Sequence, residues 1–518
     1  MGDFIEEFIF YGDDIQIGRF PKDTRLLYAN APLPEIADFT GAINAALDNP
    51  LEALPLEKQL HSTSRVTIAF DDPCLPIPLM IRDTRAIVIE ELLKRLFKIG
   101  ISREHISLIC ANGLHRKWTL PELSLVLGKK IVSEMAGRIS SHDATRPKDL
   151  IFLGTTEHGY EVEINRAAVE TDALIYVNMN FTSMNGGWKS VLVGLGSWRS
   201  IRHHHTPAQW NTAHSIMDPQ TSPMHAILRE MSGLVKERCN LFQIETVANN
   251  KVWPSPFDRL LRPIHNGRQG IPPGLPMRTA LKAASLAPQG IKRWVRNNVV
   301  RSDYRPCGVH AGGVDQVHEK TLEILFRQQN VAVSEQADVV IYGVPNLSPY
   351  SAQSKLNPIL LRSLTLGYFL DLFRGKPLVK EGGVIVAYNP GLEKFHPGHH
   401  PSYIDFWQND LTDNYDPLIC WERLSEPYAE NPRYLKLYRE GFAYHGAHVL
   451  INWMWSGMGL KHVKTVILAS AREPATAEKI GFLPEPTLER AIERAREMAG
   501  PSANVVYQVI PPLFCVDI

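Results

Sequence analysis

The sequence predicts an α/β protein of two domains, of which the N-terminal one is built on a doubly wound, mainly parallel sheet. Three observations support this prediction. The chain has 518 residues, which is more than one ordinary domain holds. Its hydrophobic share of 44% is typical of globular proteins, so each domain can bury a core. Short apolar runs alternate with segments of helical periodicity in both halves, which is typical of parallel sheets covered by helices.

Four elements are predicted in the first half of the chain. A buried strand is predicted at 65–70, where a short β-branched run is followed by two aspartates and a proline. A helix is predicted at 84–99, because apolar residues recur there about every 3.6 positions and Gly100 can end the helix. Further strands are predicted at 105–110 and 173–177, which have the same apolar character.

The second half repeats this alternation with three strands and two helices. The strands are predicted at 337–343, 383–387 and 465–469, which are rich in valine and isoleucine. The helices are predicted at 356–372 and 487–499. A proline before the second helix and a glycine after it are start and stop signals.

We predict three segments along the chain: a first α/β domain at 1–252, an insertion at 253–305 and a second α/β domain at 306–518, whose tail can pack back on the first. The insertion holds seven prolines and ten lysines or arginines against two aspartates. It is interpreted as a basic surface segment. A lid or partner-docking element over the site is the alternative. A nucleic-acid role is disfavoured because the segment lacks a recognisable binding module.

The composition disfavours several classes of partner. The 55 acidic residues balance 55 basic ones, which favours neither nucleic acid nor a membrane surface. No apolar run approaches the roughly 20 residues that span a bilayer. The six cysteines lie far apart without a CxxC pair, as reduced thiols do, and the first residues lack the order of a signal peptide. We therefore expect a cytoplasmic protein.

Reactive side chains follow three of the predicted strands. Ligands of open α/β sheets bind beyond the carboxyl ends of the strands, where backbone amides and helix N-termini are free. Each loop is a weak signal alone, but their convergence predicts one site. His115 lies in a tight Gly-Leu-His-Arg turn and is a candidate general base. The three loops are 71–76 with Asp72, 111–116 with His115, and 178–189 with Lys189.

The third loop and the histidines after it are candidates for ligand binding. Gly186 and Gly187 let the backbone approach a ligand, with the amine of Lys189 beside them, and the pattern does not match a P-loop. The three successive histidines at 203–205 cannot all ligate one ion, because neighbouring side chains point apart, but one of them can. A metal there needs further ligands from a cofactor or from distant loops. A second histidine patch at 396–400 is interpreted as loop surface.

The order of these motifs resembles the nickel-dependent lactate racemase family over nearly the whole chain. Residues 113–116 are similar to the family's Gly-Leu-His-Arg signature, whose histidine is a catalytic base. Residues 186–189 resemble its Ser-Gly-Gly-x-Lys motif, whose lysine carries a pincer nucleotide through a thioamide. Asp72 with Pro76 and Pro78 resembles the Asp-x-Thr-Arg-Pro-x-Pro loop.

The resemblance implies a nickel–pincer nucleotide attached covalently to Lys189, and therefore cofactor-maturation enzymes as partners. In the family the pincer supplies a carbon and two sulfurs to nickel, so one protein histidine suffices. The implied roles are nickel ligand for His205, cofactor contact for Asp72, Gly186, Gly187 and Trp407, and catalysis for His115 and Lys355.

The implied reaction is reversible hydride transfer at the hydroxyl carbon of a 2-hydroxy acid. The family uses two histidines, but the second position falls at Met179 or a neighbour. Leu75 replaces the substrate-binding arginine, and leucine cannot grip a carboxylate at two points. We therefore expect a racemase or epimerase of a larger or differently charged 2-hydroxy acid, or of a sugar-derived hydroxy acid. The second base would come from 396–400, or one base would serve both steps.

Two alternatives stay open. One is a different pincer-dependent reaction, such as a redox or dehydration step, in which a second base is not needed. The other is a non-catalytic cofactor-binding homologue that has kept Lys189 and His205. Product stereochemistry and the release of a keto acid separate the first alternative from epimerisation. The sequence predicts no particular oligomeric state.

Overall fold

The computed structural model describes residues 4–210, 213–254, 274–411 and 416–518. The strands in this part of the chain are β1 (Phe4–Tyr11), β2 (Asp14–Pro21), β3 (Arg25–Leu27), β4 (Val66–Asp71), β5 (Ile106–Ala111), β6 (Ile139–Ser141), β7 (Leu150–Thr155), β8 (Glu161–Asn165), β9 (Ala173–Asn180), β10 (Leu241–Ala248), β11 (Pro306–Gly312), β12 (Asn330–Ala332), β13 (Ala337–Gly343), β14 (Phe373–Arg374), β15 (Val379–Tyr388), β16 (Thr465–Ala469), β17 (Phe482–Glu485), β18 (Val505–Gln508) and β19 (Cys515–Asp517).

Helices connect and cover these strands. The α-helices are α1 (Phe39–Asp48), α2 (Leu56–Gln59), α3 (Thr84–Ile99), α4 (Leu120–Glu134), α5 (Trp188–Gly194), α6 (Trp198–His204), α7 (Pro223–Arg238), α8 (Leu275–Ser285), α9 (Gln289–Asn298), α10 (Val314–Gln329), α11 (Pro358–Ser363), α12 (Pro401–Asp405), α13 (Pro417–Glu430), α14 (Pro432–Glu440), α15 (His448–His462), α16 (Pro474–Lys479) and α17 (Leu488–Ala499). Short 3-10 turns span Arg103–His105, Pro147–Asp149 and Arg166–Ala168, and π-helical turns span Leu364–Phe369 and Phe406–Asp410.

Two six-stranded sheets organise the molecule. The first has the order β11-β10-β9-β4-β5-β6, in which every neighbouring pair is parallel except the antiparallel edge pair β10–β11. The second has the order β17-β16-β15-β13-β18-β3 and is parallel throughout. Parallel strands need helical crossovers that cover both faces of the sheet, and their continuous apolar runs follow from this double burial. The predicted α/β fold class is confirmed.

The predicted elements are found in both domains. All six predicted strands coincide with observed strands, and the helix predicted at 84–99 is α3. Asp83 caps α3 by accepting a hydrogen bond from the backbone N–H of Arg85, and Gly100 ends it with a φ of 93°. The helix predicted at 356–372 differs, because α11 gives way to the π-helical turn Leu364–Phe369.

The domain boundaries differ from those predicted in two places. The N-terminal strand β3 pairs with β18, so the start of the chain belongs to the second sheet. In the other direction, β11 pairs with β10 and α10 packs on it, so 306–329 belongs to the first domain. Each domain therefore includes a segment that was predicted for the other domain, because an open sheet edge can accept a strand from any part of the chain.

The insertion predicted at 253–305 is described from residue 274 onwards, where it forms α8 and α9; residues 255–273 lie outside the described part. Helix α8 packs on the N-terminal strand β2. All six cysteines are free. Among the described residues, every helix is too short or too polar to cross a membrane.

Candidate active site

A cavity of about 140 Å³ lies at the carboxyl ends of β4, β5 and β9, which are neighbours in the first sheet. The second domain contributes Tyr350, from the loop after β13, and His448, the first residue of α15. The cavity therefore lies between the domains, at the sheet edge where open α/β sheets bind ligands. The predicted site residues that line it are Asp72, His115, Gly186, Lys189 and His205.

Asp72 holds the ring of His115. Its Oδ2 lies 3.0 Å from His115 Nδ1 and also accepts a hydrogen bond from Trp118 Nε1 at 3.2 Å. Burial opposes ionisation of Asp72, but His115 and the hydrogen bonds from His115, Cys74 and Trp118 outweigh it, so the pKa of Asp72 lies below its ordinary value. A carboxylate at Nδ1 directs Nε2 of His115 toward the role of proton acceptor.

The turn after β5 positions His115. Gly113 has a φ of 49°, and a Cβ there would lie 2.7 Å from the carbonyl oxygen of Val193. Its N–H donates to the carbonyl oxygen of Gly194 at 2.9 Å, which ties the turn to α5. Asn112 Nδ2 donates to the carbonyl oxygen of His115 at 3.0 Å. Glycine is therefore required here by a left-handed backbone and by the close approach of α5.

The Gly186–Gly187 turn packs against buried polar groups of the protein itself. The N–H of Gly187 donates to Glu245 Oε1 at 2.7 Å, and φ is 91° at Gly186 and 55° at Gly187. A Cβ on Gly187 would lie 2.8 Å from the ring of His318. Gly186 lines the cavity, whereas Gly187 contacts Glu245 and His318. The second glycine therefore serves to let the turn approach these two side chains.

Lys189 enters the cavity from the first turn of α5. Its Nζ donates to Asn185 Oδ1 at 3.1 Å. Burial disfavours the ammonium form and lowers the pKa of Lys189 to about 8, although the negative charges of nearby acidic groups oppose this shift. A lysine with this pKa presents a sizeable fraction of neutral, nucleophilic amine near neutral pH.

His205 follows α6 and reaches the same cavity. Burial, and then the charge of Lys189, lower the pKa of His205 to about 3, so its imidazole is neutral. Its Nδ1 lies 2.8 Å from Nδ1 of His204; in the tautomer with the proton on Nδ1 of His205, that nitrogen donates to His204 and Nε2 of His205 keeps its lone pair. His204 is fully buried, and among the three successive histidines His205 is the one that lines the cavity. A neutral imidazole whose other nitrogen is held is a suitable metal ligand.

A second group of possible metal ligands lies in the same cavity. One ligand atom each of Asp72, Cys74 and His115 lies within 4.8 Å of the others. Burial and the charge of Asp72 raise the pKa of the Cys74 thiol well above its ordinary value. A metal ligand must be a thiolate, so this environment disfavours coordination by Cys74.

Two predicted residues lie outside the cavity. Lys355 Nζ donates to the carbonyl oxygen of Phe395 at 3.1 Å and lines a separate small cavity. Trp407 is buried, with Lys479 Nζ 4.4 Å from its ring centroid. The chain thus does not bring these two side chains together with His115 and Lys189.

The histidine patch at 396–400 also lies outside the cavity. The rings of His396 and His399 stack 3.7 Å apart, and His400 is buried, with Nε2 3.2 Å from the carbonyl oxygen of Tyr350. The patch that was expected to supply a second base therefore does not line the cavity, whereas His448 does.

His448 was missed by the sequence analysis. Its ring meets that of His115 edge to face, with centroids 5.5 Å apart, and its Nδ1 lies 2.7 Å from Tyr403 Oη. Burial, and then the charge of His115, hold the pKa of His448 well below its ordinary value. One signal in the sequence could have identified it. His448 is a polar residue at the start of α15, and most residues of this largely apolar helix are buried.

Comparisons with known proteins relate the N-terminal half to one family. Residues 11–215 match the family described as the lactate racemase N-terminal domain. The chain is 27% identical over 167 residues to lactate racemase of Thermoanaerobacterium thermosaccharolyticum and 29% identical over 168 residues to that of Lactiplantibacillus plantarum. Each match covers 32% of this chain and 37% or 38% of the relative, so the alignment spans little more than a third of those proteins.

Solved structures extend the likeness of fold to the second domain. The lactate racemase apoprotein from T. thermosaccharolyticum aligns with a TM-score of 0.63 at 18% identity, covering 99% of both chains. A protein from Thermotoga maritima aligns with a TM-score of 0.51 at 15% identity, covering 95% of this chain and all of that one.

The fold and the site define a two-domain α/β protein with a cavity between its domains, lined by a partly buried lysine and three histidines. Its N-terminal part is similar in sequence to lactate racemases, and its whole fold is similar to that of a lactate racemase apoprotein.

Proposed function

We propose that this protein is a racemase or epimerase of 2-hydroxy acids and that it carries a nickel–pincer nucleotide on Lys189. The observation that carries the proposal is the convergence of His115, Lys189, His205 and His448 on one interdomain cavity. The likeness to lactate racemases supports the same class of reaction.

The residues present fit the proposed cofactor. Lys189 would form the covalent link through its amine, whose pKa of about 8 favours attack by the neutral form. His205 would supply the protein ligand to nickel through Nε2. When bound, the group would supply a reversible hydride acceptor, which the side chains of the protein lack. The amide oxygens of Asn112 and Asn178, both buried without a partner, are available as hydrogen-bond acceptors beside it.

His115 would take the hydroxyl proton of one enantiomer on Nε2. Its Nδ1–H donates to Asp72, which fixes the tautomer and stabilises the imidazolium as it forms. The proton would return from the same atom in the reverse direction. This pairing of a histidine with a buried carboxylate is the usual means of orienting a general base.

His448 would serve the other enantiomer. Tyr403 Oη accepts a hydrogen bond from Asn452 Nδ2 at 3.0 Å, and its own O–H can donate to the carbonyl oxygen of His448 at 3.5 Å. We propose the tautomer that fits this arrangement, in which the proton of His448 is on Nδ1 and donates to Tyr403 Oη. This tautomer leaves the lone pair of His448 on Nε2. Because His115 and His448 come from different domains, each hydroxyl orientation would have its own base.

The substrate differs from lactate in how it would be held. No arginine is found among the described residues that line the cavity, and Leu75 lies there instead. Once Lys189 is acylated it loses its positive charge, so a carboxylate would be bound by neutral donors alone. Binding energy must then come from another part of the substrate, which favours a larger 2-hydroxy acid.

The proposal is tested by producing the chain together with the pincer-synthesis enzymes. We expect a mass gain that maps to Lys189. We also expect about one nickel per chain, because each chain would carry one cofactor. His205→Ala should keep the adduct and lose nickel, whereas Lys189→Ala should lose both. His203→Ala, which changes a neighbouring histidine outside the cavity, is the matched control.

A 2-hydroxy acid deuterated at the α-carbon then tests the reaction. Inversion with the deuterium retained supports internal hydride return. A released keto acid without inversion would favour the redox alternative. No adduct and no nickel, in cells where a control racemase is loaded, would favour a binding protein of another kind.

A further inference from the structure

A second and larger cavity, of about 410 Å³, adjoins the catalytic one. Its walls come from the N-terminal hairpin, the loop after β4, helices α8 and α9, and the segment 345–372. The lining is predominantly apolar and includes Phe10, Phe181, Met217, Ile291, Tyr304 and Phe369. An apolar space of this size is unusual in a closely packed protein, so it is a candidate ligand site.

The charged residues of this cavity neutralise one another. Lys292 Nζ lies 2.6 Å from a carboxylate oxygen of Asp14, and Arg296 Nη1 lies 2.7 Å from one of Asp13. All four side chains are largely buried at these contacts. The space between them therefore offers little net charge to a ligand, and a neutral apolar group fits it better than an ion.

The same ion pairs explain part of the basic insertion. Lys292 and Arg296 lie on α9, and Arg278 on α8 pairs with Glu6 of β1. These contacts fasten both helices to the N-terminal hairpin over the apolar cavity. The sequence left open a basic surface segment or a lid over the predicted site; these contacts place the two helices over the apolar cavity instead.

The two cavities share a thin wall. Leu75 lines both of them. The hydroxyls of Tyr350 and Tyr368 lie 2.7 Å apart, and Tyr350 lines the catalytic cavity whereas Tyr368 lines the apolar one. A substrate whose reactive carbon lies at His115 could thus extend past Leu75 into the apolar cavity if the side chain of Leu75 changes rotamer.

We propose that the apolar cavity binds the hydrocarbon tail of the substrate, which would be a 2-hydroxy acid with a medium-length, unbranched alkyl chain. The inference rests on the proposed function for the identity of the head group. Burial of the tail compensates for the missing arginine–carboxylate interaction, because each methylene that enters the cavity strengthens binding until the cavity is full. Leu75, in place of an arginine, makes the passage between the cavities apolar.

Calorimetric titration of the full chain, with and without cofactor, tests this proposal. The ligands form a series from 2-hydroxybutanoate to 2-hydroxydecanoate. We expect the affinity to rise roughly fourfold with each added methylene until the cavity is filled. An affinity that does not depend on chain length would overturn the proposal.

A pair of neighbouring variants separates the cavity from general hydrophobic binding. Ala284 on α8 lines the cavity, whereas Ala283 beside it does not, and both are exposed enough for the fold to accept a larger side chain. Ala284→Trp should remove the dependence on chain length, and Ala283→Trp should keep it. Equal behaviour of the two variants would contradict the assigned cavity.

The two proposals can fail separately. Chain-length-dependent binding without inversion of configuration would leave the apolar site standing and overturn the proposed racemase. Inversion of short and long hydroxy acids with equal KM, together with an affinity that does not depend on chain length, would support the racemase and overturn the apolar site.

Discussion

The imidazole rings of His115 and His448 meet edge to face, with their centroids 5.5 Å apart, across the boundary between the two domains. Each ring is held from behind by a different polar group, Asp72 for the first and Tyr403 for the second. The protein therefore places two oriented imidazoles in one cavity, although the sequence carries one recognisable histidine motif. This pair is the basis for the first two predictions.

His448→Gln should lower kcat for inversion roughly 10²- to 10⁴-fold, because one enantiomer loses its proton acceptor. KM, the Lys189 adduct and the nickel content should not change. The measurement is the initial rate of inversion from each pure enantiomer. His399→Gln, which changes a histidine outside the cavity, should leave both rates unchanged. Full activity of His448→Gln would mean that His115 alone serves both steps.

Asp72→Asn should lower kcat by about 10²-fold or more, since an amide can favour the wrong tautomer of His115. The pH dependence of the rate should change as well, because the variant lacks the Asp72 carboxyl group, whose pKa is lowered by its interactions with His115, Cys74 and Trp118. Rate–pH profiles of the variant and of wild type provide the measurement. Asp149→Asn, at a carboxylate away from the cavity, is the control. A profile that is unchanged in shape would remove Asp72 from its orienting role.

The amine of Lys189 should react with acylating reagents at a lower pH than other lysines in protein without cofactor. Burial lowers its pKa to about 8 from the ordinary lysine value of 10.5, so its neutral form appears at a lower pH. Competitive labelling with acetic anhydride, followed by peptide mass mapping, measures the midpoint. Lys236, partly exposed on α7, is the internal reference. Equal midpoints for the two lysines would contradict the proposed activation.

Glu245→Gln should destabilise the fold by about 1–3 kcal/mol, since buried donors on Gly187 and Asn180 lose a carboxylate acceptor. Despite the opposing cost of burial, the charge and hydrogen bond of His318 and the bond from Gly187 lower the pKa of Glu245. Its stabilising effect is therefore present above the ordinary glutamate pKa and is lost as the pH falls through the lower folded-state value.

Urea unfolding at neutral and at acid pH measures this effect of Glu245. The difference between wild type and Glu245→Gln should shrink toward acid pH, where the carboxyl group of wild type is protonated. Glu319→Gln, at an exposed position on α10, is the matched control and should cause little change. A difference that stays constant with pH would indicate that the charge of Glu245 does not contribute.

The sequence by itself determined three central strands of the first sheet and the three loops that follow them. Buried parallel strands carry continuous apolar runs, so β4, β5 and β9 could be found by composition and length. The carboxyl ends of parallel strands lie at one edge, so the loops bearing Asp72, His115 and Lys189 had to meet. These are local or topological consequences of the order of residues along the chain.

The tertiary structure alone decided what the second domain contributes. His448 and Tyr350 reach the cavity, Lys355 and Trp407 do not, and Leu75 separates two cavities. The tertiary structure also decided that β3 pairs with β18 in the second sheet and that β11 pairs with β10 in the first. Contacts between domains depend on how two finished surfaces fit together. Helical and strand periodicity report which face of an element is buried, but not which distant residue covers it.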